Sequence, residues 1–426
     1  MQKKALGMLV ALSFLLPAMV LANGLNLNGL GTRAQSLGGA FVGIADDFSA
    51  VFWNPAGAAG FRKEMFGFCA TDLMPKATFG FFSELPAASI DAKTQTSHYL
   101  GFLGAYYKPI GSKVVVGLGI GTPSSQGIVW DGSDFAGMDE TVYNWSRKTA
   151  VFSFSPLVAV KLNEWLSVGA TLNINLGTFN LMLPGGSANL GEGTVELGQY
   201  EENMTGWGFG TTFGILARPT EKLGIGLAFR TPSTIAYNGT ARLSYVSLYG
   251  LPDSSALERK ITWPLWIAGG VSFRPIEHLL LSADVQWTQW SKLGQITTDY
   301  LEPTWSDYDF VQFFLGYYTL YHNDVTQIRF GAEYLLNPTT ALRAGYHNDP
   351  GPGVSDSWRK ILFPGFTSNA ISVGIGKTIG DLQMDFGLEY LTGKEREELL
   401  YGIDGGLSRT FNMKTVIPSV SVQYRF

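Results

Sequence analysis

The chain has 426 residues, 46% of them hydrophobic, 13% aromatic and only 15% charged, with 52 Gly, one Cys and a formal net charge of −5. A soluble domain carries about 25% charged residues, so this composition excludes a disordered chain, and its acidic balance excludes a nucleic-acid binder acting through a basic field. The single thiol, Cys69, excludes an internal disulfide framework and cysteine-rich metal sites.

Residues 1–22 read as an export leader. Lys3 and Lys4 precede an apolar run from Ala5 to Leu21, and Ala22 is the small residue expected before a cleavage point, so the mature chain is expected to begin at Asn23. Nothing later runs 18 apolar residues without interruption, so no transmembrane helix is expected. Residues 23–62 come next, rich in small residues and lacking an alternation of membrane length. They begin Asn23-Gly24-Leu25 and contain Gly38-Gly39-Ala40-Phe41, Ala45-Asp46-Asp47-Phe48-Ser49-Ala50 and Phe52-Trp53-Asn54-Pro55-Ala56-Gly57.

From residue 63 to the end, apolar and polar residues alternate with period two. In Asp381–Tyr390, Leu382, Met384, Phe386, Leu388 and Tyr390 form one face and Asp381, Gln383, Asp385 and Glu389 the other. The same pattern predicts strands over Lys63–Leu73, Ser97–Lys108, Val114–Val129, Arg147–Lys161, Trp165–Phe179, Met204–Ala217, Leu223–Leu243, Ile261–Phe273, Leu279–Thr297, Thr326–Leu336, Ala341–Asn348, Ala370–Lys377, Leu382–Leu391 and Phe411–Phe426. A soluble β-sandwich also alternates, but its strands run about 5–6 residues, half the length of these. Tight turns such as Leu162-Asn163-Glu164 and Asn337-Pro338-Thr339 also alternate with long connections near Met74–Gln95, Gly132–Trp145, Met182–Asn203, Tyr245–Arg259, Tyr300–Asn323, Pro350–Thr367 and Gly393–Arg409. That asymmetry, with an even strand number, predicts an all-β, antiparallel transmembrane barrel, closed because lipid satisfies no sheet edge. Fourteen strands enclose more than side chains fill at eight, so a plug is required, and residues 23–62 are the candidates.

Within the third predicted strand, Gly119-Ile120-Gly121-Thr122-Pro123-Ser124-Ser125-Gln126-Gly127 loses the alternation and puts a proline where a strand needs its N–H. Pairing is expected to lapse there, as a lateral gate at Gly121, Pro123, Ser124, Ser125 and Gly127 or as a plain bulge. Two connections, Leu181-Met182-Leu183-Pro184 and Tyr245–Leu251 with Leu248, Tyr249 and Leu251, are apolar where loops should be polar, which suggests a binding surface. The stretch Tyr300–Tyr321 adds Phe313 and Phe314 to an aromatic cluster that either lines a pocket or girdles the lipid interface. Arg147 and Arg230 are candidate cations for an acidic ligand, while Asp284, Arg329, Glu333, Arg343, Asp385 and Glu389 are expected to pair with one another and with Arg33, Asp46 and Asp47.

The glycine-rich start, the Asp46-Asp47 pair and the Asn54-Pro55-Ala56 run resemble the hatch of the FadL/TodX family of outer-membrane transporters for hydrophobic compounds. Asn163-Glu164-Trp165-Leu166-Ser167-Val168-Gly169 and the terminal Phe426, two residues after Tyr424, add to the resemblance. It implies a fourteen-stranded barrel around an N-terminal hatch, in the outer membrane of a Gram-negative bacterium. It further implies a monomer that takes up a fatty acid or hydrocarbon past the lipopolysaccharide leaflet by facilitated diffusion. External capture, a shift of the hatch and sideways exit through a kinked third strand would follow, and Phe426 would be read by the barrel-assembly machinery. Related barrels with a similar start look like components of protein-export systems, the alternative role. No cofactor, metal or catalytic residue is expected: His98, His278, His322 and His347 lie far apart, and no HExxH, GxSxG or phosphate-binding loop occurs.

Overall fold

The computed structural model describes residues 29–82, 89–138, 141–189, 194–293, 295–307, 317–319, 322–351, 359–363, 367–399 and 407–426. The leader, Asn23, Gly24, Leu25, Phe313 and Phe314 lie outside them. Fourteen antiparallel strands close into one barrel. Six are continuous: β1 (Met65–Phe82), β2 (Tyr99–Ile110), β3 (Val114–Trp130), β4 (Trp145–Lys161), β5 (Leu166–Pro184) and β6 (Gln199–Thr220). Four are interrupted: β7 (Leu223–Arg230 and Ser233–Leu243), β8 (Ser254–Trp263 and Trp266–Ile276), β9 (Leu279–Thr288 and Gln295–Tyr300) and β10 (Tyr317–Thr319 and Val325–Asn337). The last four are β11 (Thr340–Asp349), β12 (Ser368–Ile379), β13 (Leu382–Leu399) and β14 (Leu407–Arg425), and pairing of Met65 with Arg425 through Phe82 with Ser408 closes the ring.

The alternation sorts the side chains. Phe152, Phe154, Phe209, Phe213, Val285, Phe330, Ile371, Val373, Phe386 and Val420 stay exposed on the outside, where a bilayer covers them, while Asp284, Gln327, Arg329, Glu333, Arg343, Asp385 and Glu389 are buried inside. Beside Pro232 and Pro264, β7 and β8 break opposite each other, so the ladder runs from Arg230↔Trp266 to Ser233↔Trp263 without a pair between.

Several boundaries differ from the sequence reading: β8 begins at Ser254, inside the expected Tyr245–Arg259 connection, and β13 runs to Leu399 while β14 begins at Leu407, both inside the expected Gly393–Arg409 connection, because each finds a partner strand there. β1 runs nine residues past Leu73, through Pro75 and Lys76, because β14 offers an unbroken partner from Met74↔Val416 to Phe82↔Ser408, and this shortens the expected Met74–Gln95 connection. Leu181, Met182 and Leu183 are not a loop; they are the outer end of β5, paired with Glu202, Glu201 and Tyr200 of a β6 that starts upstream of Met204. Apolar loop and apolar strand end read alike in sequence, and only the partner strand separates them.

Residues 29–59 fill the bore. All but Asp46 and Phe52 are buried, in two short helices, α1 (Thr32–Ser36) and α2 (Ala50–Trp53), and a 3-10 turn at Pro55–Gly60. Their hydrogen-bond partners lie on β2, β5, β6, β9, β10 and β14, around the barrel.

Candidate functional site

An ionic seat holds the inner segment from one side. Arg33 Nε and Nη2 donate to Glu333 at 2.7 and 3.0 Å, and Arg33 also pairs with Asp46. Glu333 in turn accepts from Arg343, which reaches Asp385 at 2.7 Å. Asp284 takes the backbone N–H groups of Phe41 and Val42 at 2.8 Å, and Arg329 Nη1 donates to the Gly38 carbonyl. Partial withdrawal from water pushes the half-buried Asp46 carboxyl up, but Arg33 and Arg218 overcome it and hold it below the usual range. Asp47 faces the opposite balance: burial raises it to about 6 against the pull of Arg33 and of Ser49, whose hydroxyl and N–H it accepts.

Asn54 fixes the other side. It is fully buried, its Oδ1 accepts from Ala56 N at 3.1 Å, and its Nδ2 donates to Val42 O and to Ile215 O of β6, each at 3.0 Å. Pro55 starts the 3-10 turn, where its missing N–H costs nothing. The wall is cut away to receive this turn: a Cβ on Gly214 would sit 2.0 Å from Asn54 Oδ1, and one on Gly169 would sit 2.5 Å from the Pro55 backbone. Tyr107 completes the fit, accepting from Val51 N and donating to Phe48 O at 2.7 Å.

Above that turn the wall is discontinuous. The β2–β3 ladder ends at Leu103↔Gly121, and the next bridge on that flank is Thr94↔Trp130. The other flank of β3 shifts register between Gly121 and Ser124, leaving Thr122 and Pro123 as a bulge against β4. Thr122 Oγ1 substitutes for the backbone there, accepting from Phe102 N at 2.8 Å. Ser124 and Ser125 are buried, and Gly127 lies against the ring of Tyr99.

A cavity of about 80 Å³ opens behind the bulge, between Pro123 and Ser124 of β3, Leu30, Val51 and Phe52 of the inner segment, and Arg230 with Trp266 on the far wall. Its floor carries a neutral polar patch in which Ser155 donates to Asn173 and Asn175 to Ser233. Outward, lumenal side chains and residues folded in from connections pack into an apolar cluster that includes Phe79, Trp130, Phe135, Leu181, Tyr237, Trp290 and Phe363. Arg147 lies against that cluster, 2% exposed, with its guanidinium 5.0 Å from the Phe363 ring centre. Its Nε and Nη1 find no hydrogen-bond partner among the described residues. Arg259 nearby is satisfied by both oxygens of Glu202 at 2.6 Å.

The candidate ligand residues thus separate. Leu181 is buried in the cluster, Met182 and Leu183 are half-buried, Leu251 packs at its margin, and Leu248 at 76% exposure and Tyr249 are exposed. Arg147 lies against the outer cluster and Arg230 lines the deeper cavity. Sequence reading missed Tyr107, Asn173, Asn175 and the Glu202–Arg259 pair; polar residues at lumen-facing parity were their only signal.

No curated protein matches the chain. Among solved structures, it resembles a Pseudomonas aeruginosa FadL homologue at TM-score 0.75 and 16% identity, covering 95% of this chain and 100% of that one. It is similar to the Pseudomonas putida toluene transporter TodX (0.70, 16%, covering 94% and 99%) and the Ralstonia pickettii toluene transporter TbuX (0.68, 17%, covering 94% and 99%). At these identities the likeness speaks to fold. The sequence itself matches the family described as outer membrane protein transport protein (OMPP1/FadL/TodX) over residues 13–426, and the chain therefore belongs to that family of outer-membrane channels for hydrophobic compounds.

Proposed function

We propose that this channel takes up apolar small molecules bearing a carboxylate, such as fatty acids, by facilitated diffusion. A ligand parts the outer apolar cluster, where Arg147 receives its head group, descends to the cavity above the hatch, and leaves sideways between β2 and β3 at Gly121–Gly127. The observation that carries this reading is the meeting of three features in the outer half of the barrel: a packed apolar cluster, a buried arginine with unmatched donors against it, and a lapse of the wall ladder beside the cavity. A buried donor without an acceptor costs about 1–3 kcal/mol, so Arg147 is a standing liability that an acidic ligand relieves. The hatch closes the downward path through Asn54 and the Arg33 ion pairs, and transport requires no covalent chemistry.

A clamp across the wall tests the route. Phe102→Cys with Thr122→Cys, in a Cys69→Ala background, places two thiols one step beyond the last ladder pair. Oxidised cells are expected to lose uptake of a labelled fatty acid and to regain it on reduction; uptake that survives verified cross-linking refutes lateral exit.

A further inference from the structure

The end of the barrel that bears the tight turns, the periplasmic end of such a fold, holds a second cavity of about 280 Å³. Segments far apart in the chain build it: Arg62 and Lys63 just before β1, Arg218 near the end of β6, and Arg425 at the end of β14. Asp46 is the one carboxylate among its described lining residues, and Arg33 already pairs with it. Lys63 reaches Asp381 at 2.8 Å, an exposed pair at the rim. Among the described residues, no carboxylate lies within ion-pair distance of Arg62, Arg218 or Arg425. Gathering four cations around one carboxylate is unfavourable until an anion joins them.

The three guanidinium groups are lightly engaged by the protein. Arg62 Nη1 faces the carbonyls of Ala59 and Ser112 at 3.4 and 3.5 Å, beyond the usual hydrogen-bond range. Arg218 Nη2 donates to the Ile44 carbonyl at 2.7 Å, and its Nη1 lies beside Gly60, where a Cβ would sit 3.3 Å from it. Arg425 continues the lumenal parity of Ser421 and Gln423, which are buried, and is itself exposed at the mouth. Its neighbours Tyr424 and Phe426 are exposed on the lipid face with their ring centres 5.0 Å apart. Aromatic side chains so placed girdle a barrel at the membrane interface, which sets this cavity at the depth of lipid phosphates.

Apart from Phe61 and Met65 the lining is charged or glycine, so the cavity offers little to an apolar tail. Guanidinium forks approaching from three segments suit a tetrahedral anion, since each can take different oxygens. A planar carboxylate, with two oxygens, matches one fork.

We propose that this periplasmic mouth is a phosphate site, in which Arg62, Arg218 and Arg425 clasp a phosphate group, either a lipid phosphodiester or a soluble phosphate ester, with Lys63 at the rim. The bound anion ties the start of β1, the end of β6 and the last strand to one another. The site lies apart from the uptake route and stands or falls independently of it.

Inorganic phosphate is the probe, titrated by calorimetry at low ionic strength, where partly exposed charges are least screened. The full-length barrel is held in nanodiscs of digalactosyl diacylglycerol, which lacks phosphorus, or of phosphatidylcholine; both lipids are uncharged overall. In galactolipid discs phosphate is expected to bind at least about tenfold more tightly than acetate. Arg62→Gln with Arg425→Gln is expected to weaken phosphate binding about tenfold or more. Arg62→Lys with Arg425→Lys, which keeps the charge without the forks, should retain part of it. Unchanged hydrogen exchange in the barrel strands certifies that both variants fold. In phosphatidylcholine discs, binding that disappears identifies the lipid phosphodiester as the occupant, and binding that persists identifies a soluble phosphate ester; each supports the site. No binding in galactolipid discs, acetate that binds as well as phosphate, or a glutamine variant that binds phosphate unchanged overturns it.

Discussion

Removing the Asn54 side chain should release the hatch while leaving the barrel standing. Asn54→Ala deletes three hydrogen bonds, two of which tie separate parts of the molecule: Nδ2 joins the hatch carbonyl of Val42 to the wall carbonyl of Ile215. At about 1 kcal/mol net for each bond the loss is about 3 kcal/mol, or roughly a hundredfold in the hatch-opening equilibrium. The strand ladders contain none of these bonds, so the cost falls on local opening and not on the barrel. Hydrogen exchange is the assay: amides of residues 38–57 should exchange roughly a hundredfold faster, and those of β11–β14 at their original rates. Asn54→Asp sharpens the comparison, since it keeps the acceptor for Ala56 N but turns a charged oxygen towards two carbonyls. It should open the hatch further than alanine does. Exchange that stays slow in the hatch, or accelerates equally in the wall, refutes the assignment of Asn54 as the tie between them.

Two further outcomes follow from buried charge. Arg147→Met should raise thermal stability, by about 1–3 kcal/mol, because it removes a buried cation with two unmatched donors and keeps the apolar contact with Phe363; uptake of a fatty acid should fall while uptake of a neutral hydrocarbon persists, and a loss of stability would contradict the reading. Asp47 titrates near 6 in the folded protein and near 4 unfolded, so the native state holds its proton more tightly; stability from this group is full below pH 4, declines as pH rises from about 4 to about 6, and is lower by about 3 kcal/mol above that. Thermal midpoints across that window should fall in the unaltered protein and flatten in Asp47→Asn, whose amide oxygen still accepts from Ser49.

The barrel was legible in the order of residues, because period-two alternation is a property of each strand taken alone: Leu382 to Tyr390 declares its lipid face without reference to any neighbour. So was the lapse in β3, for the same reason, since Pro123 lacks an N–H wherever it sits. That order also marked Asn54-Pro55-Ala56, through resemblance, and the polar lumen residues through their parity. What those residues meet came from the packing of distant segments. Arg33 reaches Glu333 across 300 positions, Asn54 finds Ile215, and Gly214 and Gly169 are small because a turn from the other end of the chain rests on them. The same holds for Arg147 and Arg230, which read as equivalent cations in strands. Closure of the cylinder put one beside the Phe363 ring in the outer apolar cluster and the other against the hatch, and such a difference depends on which strands become neighbours, a long-range outcome that no local pattern encodes.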